Sequence, residues 1–180
     1  MLSNTNLSSL LYGTVEIKDE FQDNTAGDYS NDIIRVSGDE LQFIITFIHE
    51  LGHRWADKIM TANQKKEFKK LFDSCNGKHI KLNKGDIITL VGNNTEYIYQ
   101  TTGLSSLILK GLEDNKMHYF NSNAIRSIDT INGKTADKYR FPSSYSRKKF
   151  SEFIAECIAY AYFDKMNDKK LQEKVKEIIG

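Results

Sequence analysis

Residues 47–55 read FIHELGHRW, and His49, Glu50 and His53 in this stretch have the types and spacing of a metal site. Two imidazoles four residues apart project from the same face of an α-helix, close enough to bind one tetrahedral ion. The glutamate between them can reach a water molecule bound to that ion. The spacing therefore predicts a helix that binds one zinc ion and carries a base beside it.

The sequence around the motif distinguishes this interpretation from a chance match on a surface helix. The chain contains only four histidines, and an accidental HExxH is roughly a one-in-a-few-hundred event for this length. Apolar residues recur at intervals of three and four along the same segment: Leu41, Ile44, Ile48, Leu51, Trp55 and Ile59. Phe43, Ile45 and Phe47 lie between them, so we expect a helix over about residues 40–60 that is buried on most sides. Buried imidazoles need partners, because an unpaired buried polar group costs about 2 kcal/mol or more.

A catalytic zinc site has three protein ligands, so a third residue must join the two histidines. The metzincin branch of zinc proteases would place a glycine at position 56 and a histidine at 59, where this chain has Ala56 and Ile59. His79 and His118 lie in loop-like and strand-like sequence that gives no other sign of a site. Glu67 lies on a charged helical segment, where we expect it to be solvated.

The sequence SEFIAECIAY near the C-terminus is a better source of the third ligand. Glu152 and Glu156 are four residues apart on one face of a helix that is otherwise apolar. A buried pair of carboxylates requires a cation or protons to neutralise it. The residues alone leave both glutamates open as the ligand.

The composition is that of an ordinary globular chain, with 180 residues, 39% hydrophobic, 27% charged and a net charge of +1. This balance gives no reason to expect a nucleic acid or an anionic membrane as partner. No apolar run reaches transmembrane length, and residues 1–13 lack the pattern of a signal peptide. We therefore expect a cytoplasmic protein, or one released without a signal peptide. Two cysteines are too few for a disulfide framework, and Cys157 is predicted to be a buried thiol.

The arrangement of apolar runs predicts an α+β fold. Short β-prone runs at 15–17 and 33–36 flank a polar stretch, DNTAGDYSND, that reads as a turn or mobile loop. Helices are predicted at about 40–60, at 63–74 and from about residue 150 onward. Between residues 80 and 128, short alternating runs broken by glycines predict about five strands, which resemble a small SH3-like barrel.

Two motifs in a fixed order, HELGH at 49–53 and SYSRKKFSEFIAE at 144–156, resemble the zinc metallopeptidase domain of anthrax lethal factor and its relatives. The resemblance implies a zincin-like helical core with a short N-terminal β-sheet. It also implies that Glu152 is the third zinc ligand, that Glu156 supports the site, and that Tyr145 faces the reacting carbonyl. The gap of 99 residues between His53 and Glu152 is roughly twice that of the family. An inserted small β-barrel at 79–130, within a main domain of residues 1–78 and 131–180, accounts for the difference.

The resemblance and the motif together imply a zinc-dependent endopeptidase acting on a peptide or protein substrate. One zinc ion bound by His49, His53 and Glu152 activates a water, Glu50 acts as general base, and Tyr145 donates to the oxyanion. An extended peptide would pair with the strand at 33–36. Asp57 either orients a ligand imidazole or forms a surface ion pair.

Two other classes of function stay open at this point. The chain is alternatively a metal-containing binding module, inactive as a protease, whose inserted barrel recognises a protein partner. A nucleic-acid-associated factor is the other class, which the near-neutral charge disfavours. The sequence predicts neither the cleaved peptide, nor the biological role, nor the oligomeric state.

Overall fold

The computed structural model describes residues 13–18, 26–37 and 40–180, without the side chains of residues 40–42. The described residues contain nine strands and four α-helices. The strands are β1 (Thr14–Ile17), β2 (Gly27–Ser30), β3 (Ile33–Val36), β4 (Ile87–Leu90), β5 (Asn93–Thr102), β6 (Ser106–Gly111), β7 (Met117–Asn121), β8 (Ile128–Ile131) and β9 (Lys134–Thr135). The helices are α1 (Glu40–Lys58), α2 (Ala62–Cys75), α3 (Phe150–Tyr162) and α4 (Lys169–Ile179). The predicted α+β class is confirmed, while the prediction about a signal peptide concerns residues that lie almost wholly outside the described ones.

The chain divides into two compact units, one formed by residues 1–72 and 140–180 and the other by residues 73–139. The predicted insertion at 79–130 lies within the second unit, which extends further at both ends because β9 and the segment after it belong to it. The Tyr139 N–H donates to the Ser74 Oγ at 3.3 Å. The two ends of the second unit therefore meet. No helix among the described residues is long and apolar enough to cross a membrane.

The sheet of the first unit has the order β1-β3-β2, with β1 parallel and β2 antiparallel to β3. Two sequence-based expectations about it were wrong. The polar stretch at 23–32 was expected to be a loop, but its described part contains β2, whose sequence GDYS lacks apolar alternation because none of its residues is fully buried. The strand at 33–36 was expected to accept a peptide, but β3 is paired on both sides and has no free edge. Residues 23–25 lie outside the described part.

Helix α1 has no exposed residue between positions 46 and 56, and exposed residues lie only toward its two ends. Ile48, Leu51 and Trp55 face the core, and the Trp55 ring lies 6.0 Å from the Phe68 ring of α2. Ile44 and Ile45 are 41% and 40% exposed. The expectation of burial on most sides is therefore confirmed for residues 46–56, whereas residues 44–45 and 57–59 of the same segment are exposed.

Helix α1 packs against α3 at a point of very close backbone approach. A Cβ atom added at Gly52 would lie 2.8 Å from the Ala155 Cα, closer than real Cβ contacts. Gly52 lies between Glu50 and His53, and Ala155 lies between Glu152 and Glu156. The packing therefore brings the two sequence motifs face to face. Cys157 of α3 is fully buried, as predicted.

The second unit is a six-stranded antiparallel sheet in the order β7-β6-β5-β4-β8-β9. One face packs on a core of apolar residues: Ile88, Leu90, Tyr97, Leu107, Leu109, Ile128 and Ala136. Register shifts interrupt β4 between Ile88 and Leu90 and β5 between Tyr99 and Thr101. In this part of the chain β7 and β9 form the two edges and are not paired with each other, so the strand order is open.

We expect Gly52→Ala to destabilise the protein by about 1–3 kcal/mol, because the added methyl group must push two helix backbones apart. Away from such a contact, the same change inside a helix stabilises by roughly 0.5–1 kcal/mol. Urea unfolding of both proteins measures the difference in the free energy of unfolding. A variant more stable than the parent would contradict the close approach.

Replacing residues 77–137 with a short Gly/Ser linker should leave the first unit folded, because the ends of the replaced segment already meet at Ser74 and Tyr139. Circular dichroism should show the helical signal of α1–α4, and metal analysis should show zinc retention. Loss of both would mean that the strands of 73–139 are part of the core of the first unit.

Candidate metal centre

Three side-chain atoms converge where α1 faces α3. The His49 Nε2 and His53 Nε2 atoms are 3.1 Å apart. The Glu152 Oε2 lies 3.3 Å from the former and 3.2 Å from the latter. Among the residues that the structure describes, His49, His53 and Glu152 form a group that could hold a metal ion.

The spacing of the three atoms fits a zinc ion. Zinc lies about 2.0–2.1 Å from nitrogen and oxygen ligands, and tetrahedral angles then separate two ligand atoms by about 3.3–3.4 Å. All three observed separations, from 3.1 to 3.3 Å, are close to this value. Two imidazoles and one carboxylate are also the donor types of known catalytic zinc sites. The residues present therefore fit the ion.

Glu156 fixes the orientation of His49. Its Oε1 lies 2.9 Å from the His49 Nδ1, and its other oxygen accepts a hydrogen bond from the Ser143 hydroxyl. Burial would raise the pKa of Glu156, but the hydrogen bonds from His49 and Ser143 hold the pKa below its usual range. Because an ionised carboxylate only accepts, the His49 Nδ1 carries the proton and donates it. The Nε2 of a neutral His49 is then left with its lone pair directed at His53 and Glu152.

The two imidazoles have pKa values shifted in opposite directions. Burial alone would lower the pKa of His49, but the hydrogen bond to Glu156 and the charges of Glu50, Glu156 and Glu152 raise it. Burial and the neighbouring positive charge of His49 lower the pKa of His53. The cluster thus favours one positive charge between the imidazoles and disfavours two. A metal cation satisfies the same preference.

Glu50 is 5% exposed and lies on the same helix between the two histidines. Burial, opposed by His49 and reinforced by Glu152 and Asp28, raises the pKa of Glu50 to about 7. A carboxyl with a pKa near neutrality can both accept and return a proton at physiological pH. The environment of Glu50 therefore suits a general base.

Tyr145 lies in a short 3₁₀ turn, Tyr145–Arg147, just before α3. Its ring is 5.8 Å from the His49 ring, and the ammonium group of Lys148 lies 4.2 Å from the centre of the tyrosine ring. Partial burial and the charges of Glu152, Glu50 and Glu156 raise the pKa of the Tyr145 hydroxyl. The hydroxyl therefore keeps its proton at neutral pH and can act as a donor beside the metal ligands.

A cleft of about 580 Å³ opens on these residues. One side is formed by the edge strand β2, through Gly27, Asp28 and Tyr29. A Cβ atom at Gly27 would lie 2.5 Å from the Thr46 Cγ2 atom of α1, so only glycine lets β2 come this close to the helix. The lining also includes residues of and near α1, α2 and α3: Ala56, Met60, Lys65, Phe150 and Ile154.

The structure brings together His49, Glu50, His53, Tyr145, Glu152 and Glu156, as expected from the sequence. Asp57 accepts a hydrogen bond from the Tyr29 hydroxyl at 2.9 Å and pairs with Lys58 at 3.3 Å. Its contacts are thus those of a surface residue that also holds β2 against α1.

The alternative ligands considered from the sequence lie elsewhere. His79 is exposed, His118 pairs with Asp114 at 2.9 Å in the second unit, and Glu67 pairs with Lys70 at 2.6 Å on the exposed side of α2. Sequence reasoning missed Tyr29 and Ser143. No local pattern singles out Tyr29. The two consecutive serines before Tyr145 were a weak signal for Ser143.

Comparison of the chain with known protein families, with curated proteins and with solved structures gave no significant match. The resemblance to the lethal factor domain therefore stays a prediction. What supports a function is the geometry of the site itself.

We expect Glu152→Ala to lose bound zinc, because one of three ligand atoms is removed. Glu156→Ala should weaken zinc binding about 10–100-fold without abolishing it, since only the orientation of His49 is lost. Metal analysis and chelator competition on both purified variants compare the two effects. An empty site in Glu156→Ala together with a full site in Glu152→Ala would move the ligand assignment by one helical turn.

Proposed function

We propose that the chain is a zinc-dependent endopeptidase. The observation that carries the proposal is a three-donor site that opens on a cleft, next to a buried glutamate with a pKa of about 7. Structural zinc sites are closed by four protein ligands, whereas catalytic ones keep an open position. Three donors converge among the residues described, which supports the catalytic type.

A zinc ion at this site would supply a Lewis acid that lowers the pKa of water and polarises a peptide carbonyl. Glu50 would take the proton from the attacking water and later deliver it to the leaving amine. Its burial supports both steps, because a carboxyl with a pKa near 7 gains and loses a proton with little free-energy change. His49 stays in place during these steps through its hydrogen bond to Glu156.

Tyr145 would donate its hydroxyl proton in a hydrogen bond to the oxygen of the tetrahedral intermediate. A donor in such a position contributes about 3–4 kcal/mol to transition-state stabilisation. The raised pKa of the hydroxyl and its place beside the ligands support this role. The Lys148 ammonium on the tyrosine ring helps to hold the ring near the site.

The substrate would be an extended peptide bound along β2. In the described sheet β2 pairs only with β3, so its other edge is available for backbone hydrogen bonds. Gly27, Asp28 and Tyr29 of β2 line the same cleft as His49 and Glu50. Strand addition of this kind gives affinity from the main chain and leaves selectivity to the side-chain pockets.

We also propose the finer description of the fold: a zincin-like first unit that carries a small SH3-like barrel as an insertion. The order of HELGH and SEFIAE on two facing helices supports the first part. The register shifts in β4 and β5 support the second, because bulges increase the bend and twist that a sheet needs to curl. The second unit would then recognise a partner or the substrate.

A metal-containing binding module, inactive as a protease, is the second candidate. The exposed apolar side chains of the second unit favour it: Tyr119 is 71% exposed and Leu104 is fully exposed. This second candidate, however, gives no reason for Glu50 to be buried beside the histidines, whereas the endopeptidase does. Purified protein that contains zinc but cleaves no peptide would favour the binding module.

We expect Glu50→Gln to keep one zinc ion per chain and to lose peptidase activity about 10²–10⁴-fold, because the amide cannot accept the proton. Zinc content and cleavage of a proteome-derived peptide library are measured on the same sample. Glu67→Gln, at an exposed position of α2, is the matched control and should keep full activity. Full activity in Glu50→Gln would rule out the proposed mechanism.

A further inference from the structure

Glu156 contacts two parts of the site at once. Its Oε1 accepts the hydrogen bond from the Nδ1 of the ligand His49 at 2.9 Å. Its Oε2 accepts a hydrogen bond from the Ser143 hydroxyl, in the loop that precedes Tyr145. One carboxylate therefore joins a metal ligand on α1 to the loop that holds the tyrosine.

Ser143 and Ser146 lock this loop around Tyr145. The Ser146 N–H donates to the Ser143 Oγ at 3.1 Å, and the Ser143 N–H donates to the Ser146 Oγ at 3.3 Å. The Ser146 hydroxyl donates in turn to the Ser143 carbonyl at 2.7 Å. Each hydroxyl thus serves both as donor and as acceptor. Tyr145 lies between the two serines in the sequence and shares the conformation that they impose.

The burial of the loop makes these contacts consequential. Ser146 is fully buried, and Pro142 next to Ser143 is buried as well. The side chain of Glu156 is 14% exposed, so its hydrogen bonds face little competition from water. Ser144, in contrast, is exposed and its side chain makes no capping hydrogen bond. Ser143 is half-buried and bonded to Glu156, whereas its neighbour Ser144 faces solvent.

We propose that Ser143 is a positioning residue for peptide hydrolysis, which holds Tyr145 in register with the metal ligands through the chain Ser143–Glu156–His49. The inference rests on the proposed function, since it assigns Ser143 to the same site. Ser143 touches neither the substrate nor the metal. It acts by fixing where the Tyr145 hydroxyl lies relative to His49, and small displacements of a catalytic group cost about 10²-fold in rate.

The same chain couples zinc binding to the order of the loop. An ion that fixes His49 also fixes Glu156, and Glu156 in turn holds the Ser143 hydroxyl. By thermodynamic linkage, the free energy by which zinc stabilises the ordered loop equals the free energy by which the ordered loop strengthens zinc binding. The amides of Arg147 and Lys148 report this order, because they donate to the Ser144 and Tyr145 carbonyls at 3.4 and 3.0 Å within the turn.

The first test is independent of peptidase activity. Hydrogen exchange of the Arg147 and Lys148 amides is measured with and without zinc, in the parent and in Ser143→Ala, Ser143→Thr and Ser144→Ala. We expect zinc to slow exchange at least tenfold in the parent, in Ser144→Ala and in Ser143→Thr, which keeps the hydroxyl. Zinc should have little effect in Ser143→Ala. No zinc effect in the parent, or an undiminished effect in Ser143→Ala, would overturn the proposal.

The second test uses kinetics on a peptide that the parent cleaves. With zinc in excess, so that the site is full in every variant, Ser143→Ala should lower kcat about tenfold or more and leave KM within about twofold. In a Tyr145→Phe background the same change should lower kcat no further, because the hydroxyl that it positions is gone. An equal loss in both backgrounds would mean that Ser143 acts by another route. A parent protein that cleaves nothing would contradict the proposed function, and the exchange experiment would still decide the coupling.

Discussion

The first unit depends on the contact of two helix backbones at Gly52 and Ala155. Side chains that must share one ion have to start from backbones at a fixed and short distance, and a glycine opposite an alanine allows a very short one. Every other feature of the site is built around this contact. His53 follows Gly52, Glu152 and Glu156 lie on either side of Ala155, and the loop of Tyr145 leads into the same helix.

The close approach also concentrates negative charge. Three carboxylates, those of Glu50, Glu152 and Glu156, surround two imidazoles in a largely buried volume. Such a group is unfavourable unless positive charge is added, and the raised pKa of His49 expresses this need. The lowered pKa of His53 follows from burial and from the positive charge of His49 beside it. The carboxylates nevertheless have different tasks. Glu152 faces the ligand nitrogens, and Glu156 accepts hydrogen bonds from two donors and stays ionised. Burial raises the pKa of Glu50 to about 7.

How much was predictable from sequence depended on how local each feature is. The spacing of His49, Glu50 and His53 on a helix fixes their relative directions, so local periodicity was sufficient. Glu152 and Glu156 were found as a pair, but spacing alone left the ligand open, because the choice depends on which of them faces residues 99 positions away. The strand β2 was missed because ladder bonds to β3 and the contact of Tyr29 with Asp57 stabilise it without apolar alternation. The position of β3 in the centre of the sheet could not be predicted either, because strand order depends on pairing between distant segments. Ser143 has a role only through contacts with Glu156, which no short pattern specifies.

The meeting of Ser74 and Tyr139 at the base of the second unit bears on how the chain reaches its native state. To bring His53 to Glu152, an unstructured chain must close a loop of 99 residues. If residues 73–139 fold first, their two ends are already close together, so the part of the chain that is still flexible between His53 and Glu152 is roughly a third of the original loop. The free-energy cost of closing the loop, which is entropic, then falls by about 1 kcal/mol. Four of the five strand pairings in this sheet join consecutive strands, and the fifth joins β4 to β8. Early formation of the sheet would thus shorten the loop that must close, and slow formation would delay assembly of the site that lies outside it.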